Sequence, residues 1–150
     1  MNQPTPARDR ADVRVLTEIG IIAQLSATAL ERLLPDGLSA AQFGVLNHFA
    51  RRGGEETPAQ LADAFQVTRG AMTNTLARLE ARGYVSVRPD GADGRRKQVS
   101  VTAAGLAARE AALRATRPRL EAIRAAIPAG DFEAALPFLS RLRGWLDENR

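Results

Sequence analysis

The side chains best suited to chemistry lie in a helix that we predict to begin after Thr68. At about 100° per residue, Met72, Leu76 and Leu79 share one side of this helix, which should pack inward. The opposite side carries small or hydrogen-bonding residues with arginines at its edges. The candidate contact residues there are Thr68, Arg69, Gly70, Thr73, Asn74 and Arg78.

This polar face is typical of a helix that enters the major groove of duplex DNA. Small side chains permit close approach, Asn can pair with adenine, Thr can touch a thymine methyl group, and Arg binds guanine or phosphate. We therefore expect Arg69, Thr73 and Asn74 near the bases and Arg78 on phosphate. The alternative is that these side chains simply solvate the outside of a helix.

A second basic group, Arg95, Arg96 and Lys97, ends a turn-rich loop between two short strands predicted at residues 84–88 and 98–101. We expect Arg95 to enter a minor groove and the other two cations to contact phosphates. Asp93 would be repelled by DNA, so we expect it to hold Arg95 or a turn amide in place. A solvated charged turn is the alternative.

The elements that position these groups can be predicted from their caps. Residues 57–60, Thr-Pro-Ala-Gln, combine a capping box with proline at the first helical position, and predict a helix that ends near Phe65. Only Gln66 and Val67 precede the cap Thr68 of the next helix, which should stop at Gly83. Two helices joined by so short a turn indicate a helix-turn-helix.

Further helices are predicted on both sides of this region. The first covers residues 12–34, and the second is capped by Ser39 and closed by residues 51–54. A fifth runs from Thr102 to about Ala126, with Pro118 as a bend or boundary. We expect Asp131 to cap the last helix, or the helix to start only at Pro137.

Composition narrows the function classes. The chain has 150 residues, a formal charge of +4 and a pI near 10.8, which favours a polyanionic partner. It has no cysteine and one histidine, so thiol chemistry is excluded and a metal site is not expected. No phosphate loop, nucleophile elbow or paired carboxylates suggest an enzyme, and no cofactor is expected. We expect a cytoplasmic protein, because no stretch approaches the roughly 20 apolar residues that a membrane-spanning helix needs.

A small-molecule site is less well marked. Gln42, Asn47 and His48 are the polar residues of the second helix that could face a ligand cleft. For His48 the alternative is a partly buried histidine satisfied by the backbone.

The chain resembles the MarR family of bacterial winged-helix regulators. The resemblance is carried by AQFGVL at residues 41–46, TPAQLA at 57–62, TRGAMTNTLARLEARG at 68–83 and DGADGRRKQVSVTAAG at 90–105. It implies a homodimer with interlocked terminal helices, palindromic operators, a minor-groove role for Arg95, and release from DNA by a small aromatic or phenolic ligand. One departure is Gly94, which stands where many relatives have arginine after the wing aspartate.

We therefore predict a mainly α fold with a small β-hairpin wing. Residues 1–150 form one protomer, residues 38–102 the winged helix-turn-helix, and residues 10–36 and 103–150 a helical dimerisation region. The leucine-rich last helix leaves apolar surface that dimerisation would bury. Two-fold symmetry then places the recognition helices about 34 Å apart, on an inverted-repeat operator. The predicted function is a sequence-specific DNA-binding transcriptional regulator, a repressor released by a ligand; the alternative is a winged-helix protein-interaction module without DNA binding.

Overall fold

The protein is mainly helical with one two-stranded antiparallel sheet, as the sequence predicts. The computed structural model describes residues 10–91 and 93–150, without the side chains of residues 93 and 94. In chain order its elements are α1 (Ala11–Leu33), α2 (Ala40–Arg52), α3 (Pro58–Phe65), α4 (Arg69–Ala81), β1 (Val85–Asp90), β2 (Asp93–Val101), α5 (Ala103–Ala126) and α6 (Ala129–Glu148).

Three helices begin at the hydroxyl caps that the sequence predicts. The side chain of Ser39 accepts from the Gln42 amide at the start of α2, and the Gln42 side chain bonds back to the Ser39 amide. Thr57 and Gln60 make the same reciprocal pair at the start of α3. Each box satisfies amides that have no partner within the helix, so both helix starts are fixed locally.

The core lies where α2, α3 and α4 meet the inner face of the sheet. Its fully buried side chains come from α2, α3, α4 and β2, so one cluster joins the helix-turn-helix to the wing. They are Val45, Leu46, Phe49, Leu61, Leu79 and Val99.

The two strands are longer than predicted, and most residues of the loop expected between them lie in β1 or β2. Val85 pairs with Val101, and the antiparallel ladder continues to Pro89 opposite Lys97 before a register shift brings Asp90 opposite Asp93. Lys97 therefore lies in a strand, where alternation fixes its direction, instead of in a loose tip. The turn residues misled the prediction because proline is compatible with an edge strand.

The start of the last helix was predicted wrongly. α6 begins at Ala129, directly after Pro128, so Asp131 lies in its first turn and Pro137 lies inside it. Pro128 has an extended ψ of 140°, which places the helix boundary there, and the amide of Asp131 already donates to the Pro128 carbonyl. Pro118 likewise lies inside a continuous α5.

The described chain forms two compact units. One extends through Arg114 and contains the helix-turn-helix and the wing. The other comprises Ala115–Arg150 and contains the end of α5 and all of α6. Within α6, Leu136 and Trp145 are 60% and 61% exposed.

The composition of α1 also differs from expectation. It is 23 residues long, with a mean hydropathy of 1.4 over an 18-residue window, and is long and apolar enough to cross a membrane. The prediction that no segment approaches this composition was wrong, because Glu18 is the only charged residue between Val15 and Leu30. Helices that pack on other proteins can have the same composition, so the finding does not by itself indicate a membrane.

Gly105 should be essential to the junction between the wing and α5. A Cβ at this position would overlap the carbonyl oxygen of Tyr84 and lie 2.9 Å from Cγ2 of Val101. We expect Gly105→Ala to lower the free energy of unfolding by about 1–3 kcal/mol, measured by chemical denaturation, because neither neighbour can move without disturbing the sheet.

The matched control is Gly70→Ala, also a helical position, where the added Cβ meets nothing within 4 Å. It should leave the stability unchanged or raise it by up to about 1 kcal/mol. Equal losses in the two variants would contradict the packing argument.

Candidate DNA interface

Helix α4 presents two different faces, as predicted. Met72, Leu76 and Leu79 are 3%, 4% and 0% exposed and belong to the core. The rest of the helix is largely open, and its exposed residues include Arg69, Gly70, Thr73, Asn74, Ala77 and Arg78. Burial of the apolar side thus fixes which side chains of α4 a partner can reach.

The turn before α4 is as short as the sequence indicates. The chain leaves α3 through Gln66, which takes a left-handed conformation at φ 53°, and the Val67 amide donates to the Ala62 carbonyl. Thr68 then caps α4, its hydroxyl accepting from the Ala71 amide at 3.1 Å. Thr68, predicted as a DNA contact, therefore has a structural role in the helix-turn-helix, and its DNA contact stays a prediction.

A groove of about 550 Å³ runs between the start of α3, α4 and the wing. Four cations line it, Arg69 from α4 and Arg95, Arg96 and Lys97 from β2, and Glu80 is the one carboxylate among the described lining residues. Thr73 lines it too. The fold therefore brings the two basic groups of the sequence together on one surface, which attracts a polyanion.

The remaining predicted contacts divide into two groups. Gly70, Asn74 and Arg78 are exposed on α4 but are not part of the groove lining. The side chain of Asp93 lies outside the described residues, so its predicted contact stays a prediction.

Sequence reasoning missed part of the groove. Thr57 and Pro58, at the start of α3, line it beside Arg69. The sequence analysis assigned these residues only to the helix cap and did not place them on the DNA-facing surface. A signal was available, because the first helix of a helix-turn-helix is expected to cross the DNA backbone.

The three candidate ligand residues are each bonded within the protein. Gln42 is buried in the α2 capping box, and the Asn47 side-chain oxygen accepts from Nε and Nη2 of Arg109 at 3.1 and 3.0 Å. His48 is 7% exposed, and its Nε2 lies 2.7 Å from Oε1 of Glu56. A ligand role for these residues stays a prediction. Among the described residues, no group of three or more His, Asp or Glu could hold a metal ion.

Comparison with known proteins gives one consistent family. The MarR family model matches residues 36–96, which include the helix-turn-helix and most of the wing. The transcriptional regulator HosA of Escherichia coli O111:H- is 36% identical over 111 residues, covering 74% of this chain and 70% of HosA. The regulator PecS of Dickeya dadantii is 29% identical over 106 residues, which cover 67% of this chain but only 64% of PecS, just under two thirds.

Solved structures agree with this family. The chain is similar to wild-type MarR from E. coli, with a TM-score of 0.73 and 26% identity over 94% of this chain and 98% of that one. It is also similar to a variant of MarR complexed with operator DNA, with a TM-score of 0.70 over 87% and 94% of the two chains. The winged helix-turn-helix fold is confirmed.

The cap of α4 can be tested apart from any ligand. Thr68→Ala should lower the free energy of unfolding by about 1 kcal/mol, because the Ala71 amide loses its acceptor. Thr73→Ala, at an exposed position of the same helix, should change stability by no more than about 0.5 kcal/mol. Urea denaturation of both variants makes the comparison, and similar stabilities would show that Thr68 does not act as a cap.

Proposed function

This chain belongs to the MarR family of transcriptional regulators, and from that premise we propose that it binds an inverted-repeat operator as a homodimer and represses transcription there. The groove in which Arg69 of α4 faces the cations of β2 carries the proposal. It supplies an exposed recognition surface and positive charge on the same side of one compact unit.

α4 is the element that we place in the major groove. Its exposed face is lined by small side chains, and Gly70 and Ala77 leave the backbone accessible to base edges. In this arrangement Asn74 and Thr73 approach bases, Arg69 reaches guanine or phosphate, and Arg78 binds phosphate. These side chains supply the sequence selectivity of the proposed complex.

The wing supplies contacts to the neighbouring backbone and minor groove. Arg95, Arg96 and Lys97 are exposed on β2 next to the α4 groove. We assign Arg95 to the minor groove, where narrow A·T-rich segments have the most negative potential, and the other two to phosphates. Thr57 and Pro58 at the start of α3 lie on the same surface and add to the backbone contact.

A second copy of the chain is the partner that we propose for the exposed apolar helices. Leu25 of α1 is 65% exposed, and Leu136, Trp145 and Leu146 of α6 are 60%, 61% and 51% exposed. Monomeric proteins rarely leave so many large apolar side chains in solvent. Dimerisation would bury these side chains, including those that give α1 its membrane-like composition, and would let the regulator work on DNA in the cytoplasm.

Release by a small aromatic or phenolic effector is the regulatory part of the proposal. An effector held by Gln42, Asn47 or His48 must compete with the α2 capping box, Arg109 or Glu56. Binding at Asn47 or His48 would therefore change contacts between α2 and other parts of the chain, whereas binding at Gln42 would disturb the start of α2 itself. Titration of phenolic carboxylic acids into the operator complex tests this part independently of DNA binding.

One prediction of the proposed DNA complex concerns the contacts to bases and to the minor groove. Asn74→Ala and Arg95→Ala should each weaken operator binding by about 1–3 kcal/mol, because each removes a contact to DNA. Lys97→Ala should lower the slope of log affinity against log salt by about 1, as expected for one phosphate contact. Fluorescence anisotropy with the chain's own upstream DNA measures both quantities.

The control is Arg51→Ala, an exposed arginine at the end of α2 that does not line the groove. It removes the same charge and should leave affinity nearly unchanged. Wild-type affinity in both Asn74→Ala and Arg95→Ala would contradict the proposed interface and favour a protein-interaction module.

The second prediction concerns assembly. Leu136→Glu places a charge among the exposed leucines of α6, which also include Leu139 and Leu146. It should shift the dimer towards monomer and weaken operator binding. Arg141→Glu, about 140° around the helix from Leu136, should leave the dimer intact. Sedimentation equilibrium distinguishes the two variants, and a dimeric Leu136→Glu chain would exclude this face as the interface.

A further inference from the structure

The wing sheet has a third extended segment at its root, which the sequence did not reveal. Glu56 and Val99 exchange both backbone hydrogen bonds, at 3.0 and 2.9 Å, so the residues before α3 lie beside β2 on the side away from β1. Because side chains alternate along extended backbone, Glu55 and Glu56 point to opposite faces of the sheet.

Glu56 faces the core. Its Oε1 lies 2.7 Å from Nε2 of His48 and 3.8 Å from Nε of Arg52. The imidazole of His48 itself contacts the rings of Phe49 and Phe65, at centroid distances of 5.8 and 5.4 Å. The root of the wing is thereby fixed to α2 and α3.

Glu55 faces outward and binds Arg88, a residue of β1. Nε and Nη2 of Arg88 donate to the two carboxylate oxygens at 2.5–3.0 Å. Because β2 lies between these two segments, the Arg88 side chain crosses β2 to make this pair. The hydrogen bonds with Glu55, and then its negative charge, raise the pKa of Arg88 above its ordinary value.

We propose that Glu55 is a positioning residue for DNA binding: by holding Arg88 across β2, it sets the direction of the wing and so places Arg95 on the DNA. This inference rests on the proposed function. Bidentate pairing of a planar guanidinium with a carboxylate restricts direction as well as distance. A contact of this kind near the base of a hairpin can therefore fix the direction in which the hairpin points.

If Glu55 acted only through its charge, its removal would change DNA affinity in the opposite direction from that expected for a positioning role. A carboxylate on the DNA-binding unit repels phosphates, so its removal should tighten binding if it only contributed charge. A positioning role predicts weaker binding on removal. The sign of the effect therefore separates the two explanations.

The experiment measures operator affinity of Glu55→Gln at several salt concentrations. We expect about two- to fivefold weaker binding, the range that loss of one exposed ion pair allows. Glu80→Gln is the matched control, because it removes a carboxylate that lines the groove itself and should tighten binding. Arg88→Gln should weaken binding more than Glu55→Gln, because it breaks the same pair and also removes a positive charge from the DNA-binding unit.

Two combined variants test whether Glu55 acts through the wing. In an Arg95→Ala background, Glu55→Gln should have little further effect, because the contact that it positions is already absent. The exchange of Glu55→Arg with Arg88→Glu should restore affinity towards the wild-type value, because the pair is rebuilt in reverse.

Unchanged or tighter binding by Glu55→Gln, or an equal loss in the Arg95→Ala background, would overturn the inference while leaving the proposed function in place. A wild-type chain that binds no upstream DNA would overturn the proposed function and this inference with it.

Discussion

Burial of Met72, Leu76 and Leu79 is the constraint on which the rest of the structure depends. These side chains hold α4 against α2 and α3, so the exposed face of α4 is determined by what the opposite face buries. The same cluster includes Val99 of β2, so the core that orients α4 also orients the wing. A regulator that reads DNA with a helix and a hairpin together needs such a common reference, because neither contact alone fixes the register of the other.

Backbone hydrogen bonds, in addition to the hydrophobic core, fix the position of the wing relative to α3. The bridge between Glu56 and Val99 ties the start of α3 to β2, while Thr57, one residue later, caps α3. A few consecutive residues thus belong to the sheet, to a helix cap and to the wall of the basic groove. Movement of the wing relative to α3 would break hydrogen bonds as well as apolar contacts, which favours a single groove geometry.

The sequence predicted what depends on local chemistry. Ser39, Thr57 and Thr68 cap their helices because each hydroxyl and the amide that it accepts from are only three residues apart. The division of α4 into two faces also follows from spacing alone. The contacts of Glu55 with Arg88 and of Asn47 with Arg109 join residues 33 and 62 positions apart, and no local pattern indicates them. The α6 boundary was wrong because Pro137 and Asp131 gave competing local signals, and the backbone of Pro128 decided between them.

The outer position of β1 has a consequence for the behaviour of the wing among other copies of itself. The edge of β1 that faces away from β2 is open, and such edges invite pairing with foreign strands and aggregation. Pro89 removes one donor from that edge, because it has no amide hydrogen. Pro89 therefore disfavours strand pairing between the wings of neighbouring DNA-bound copies.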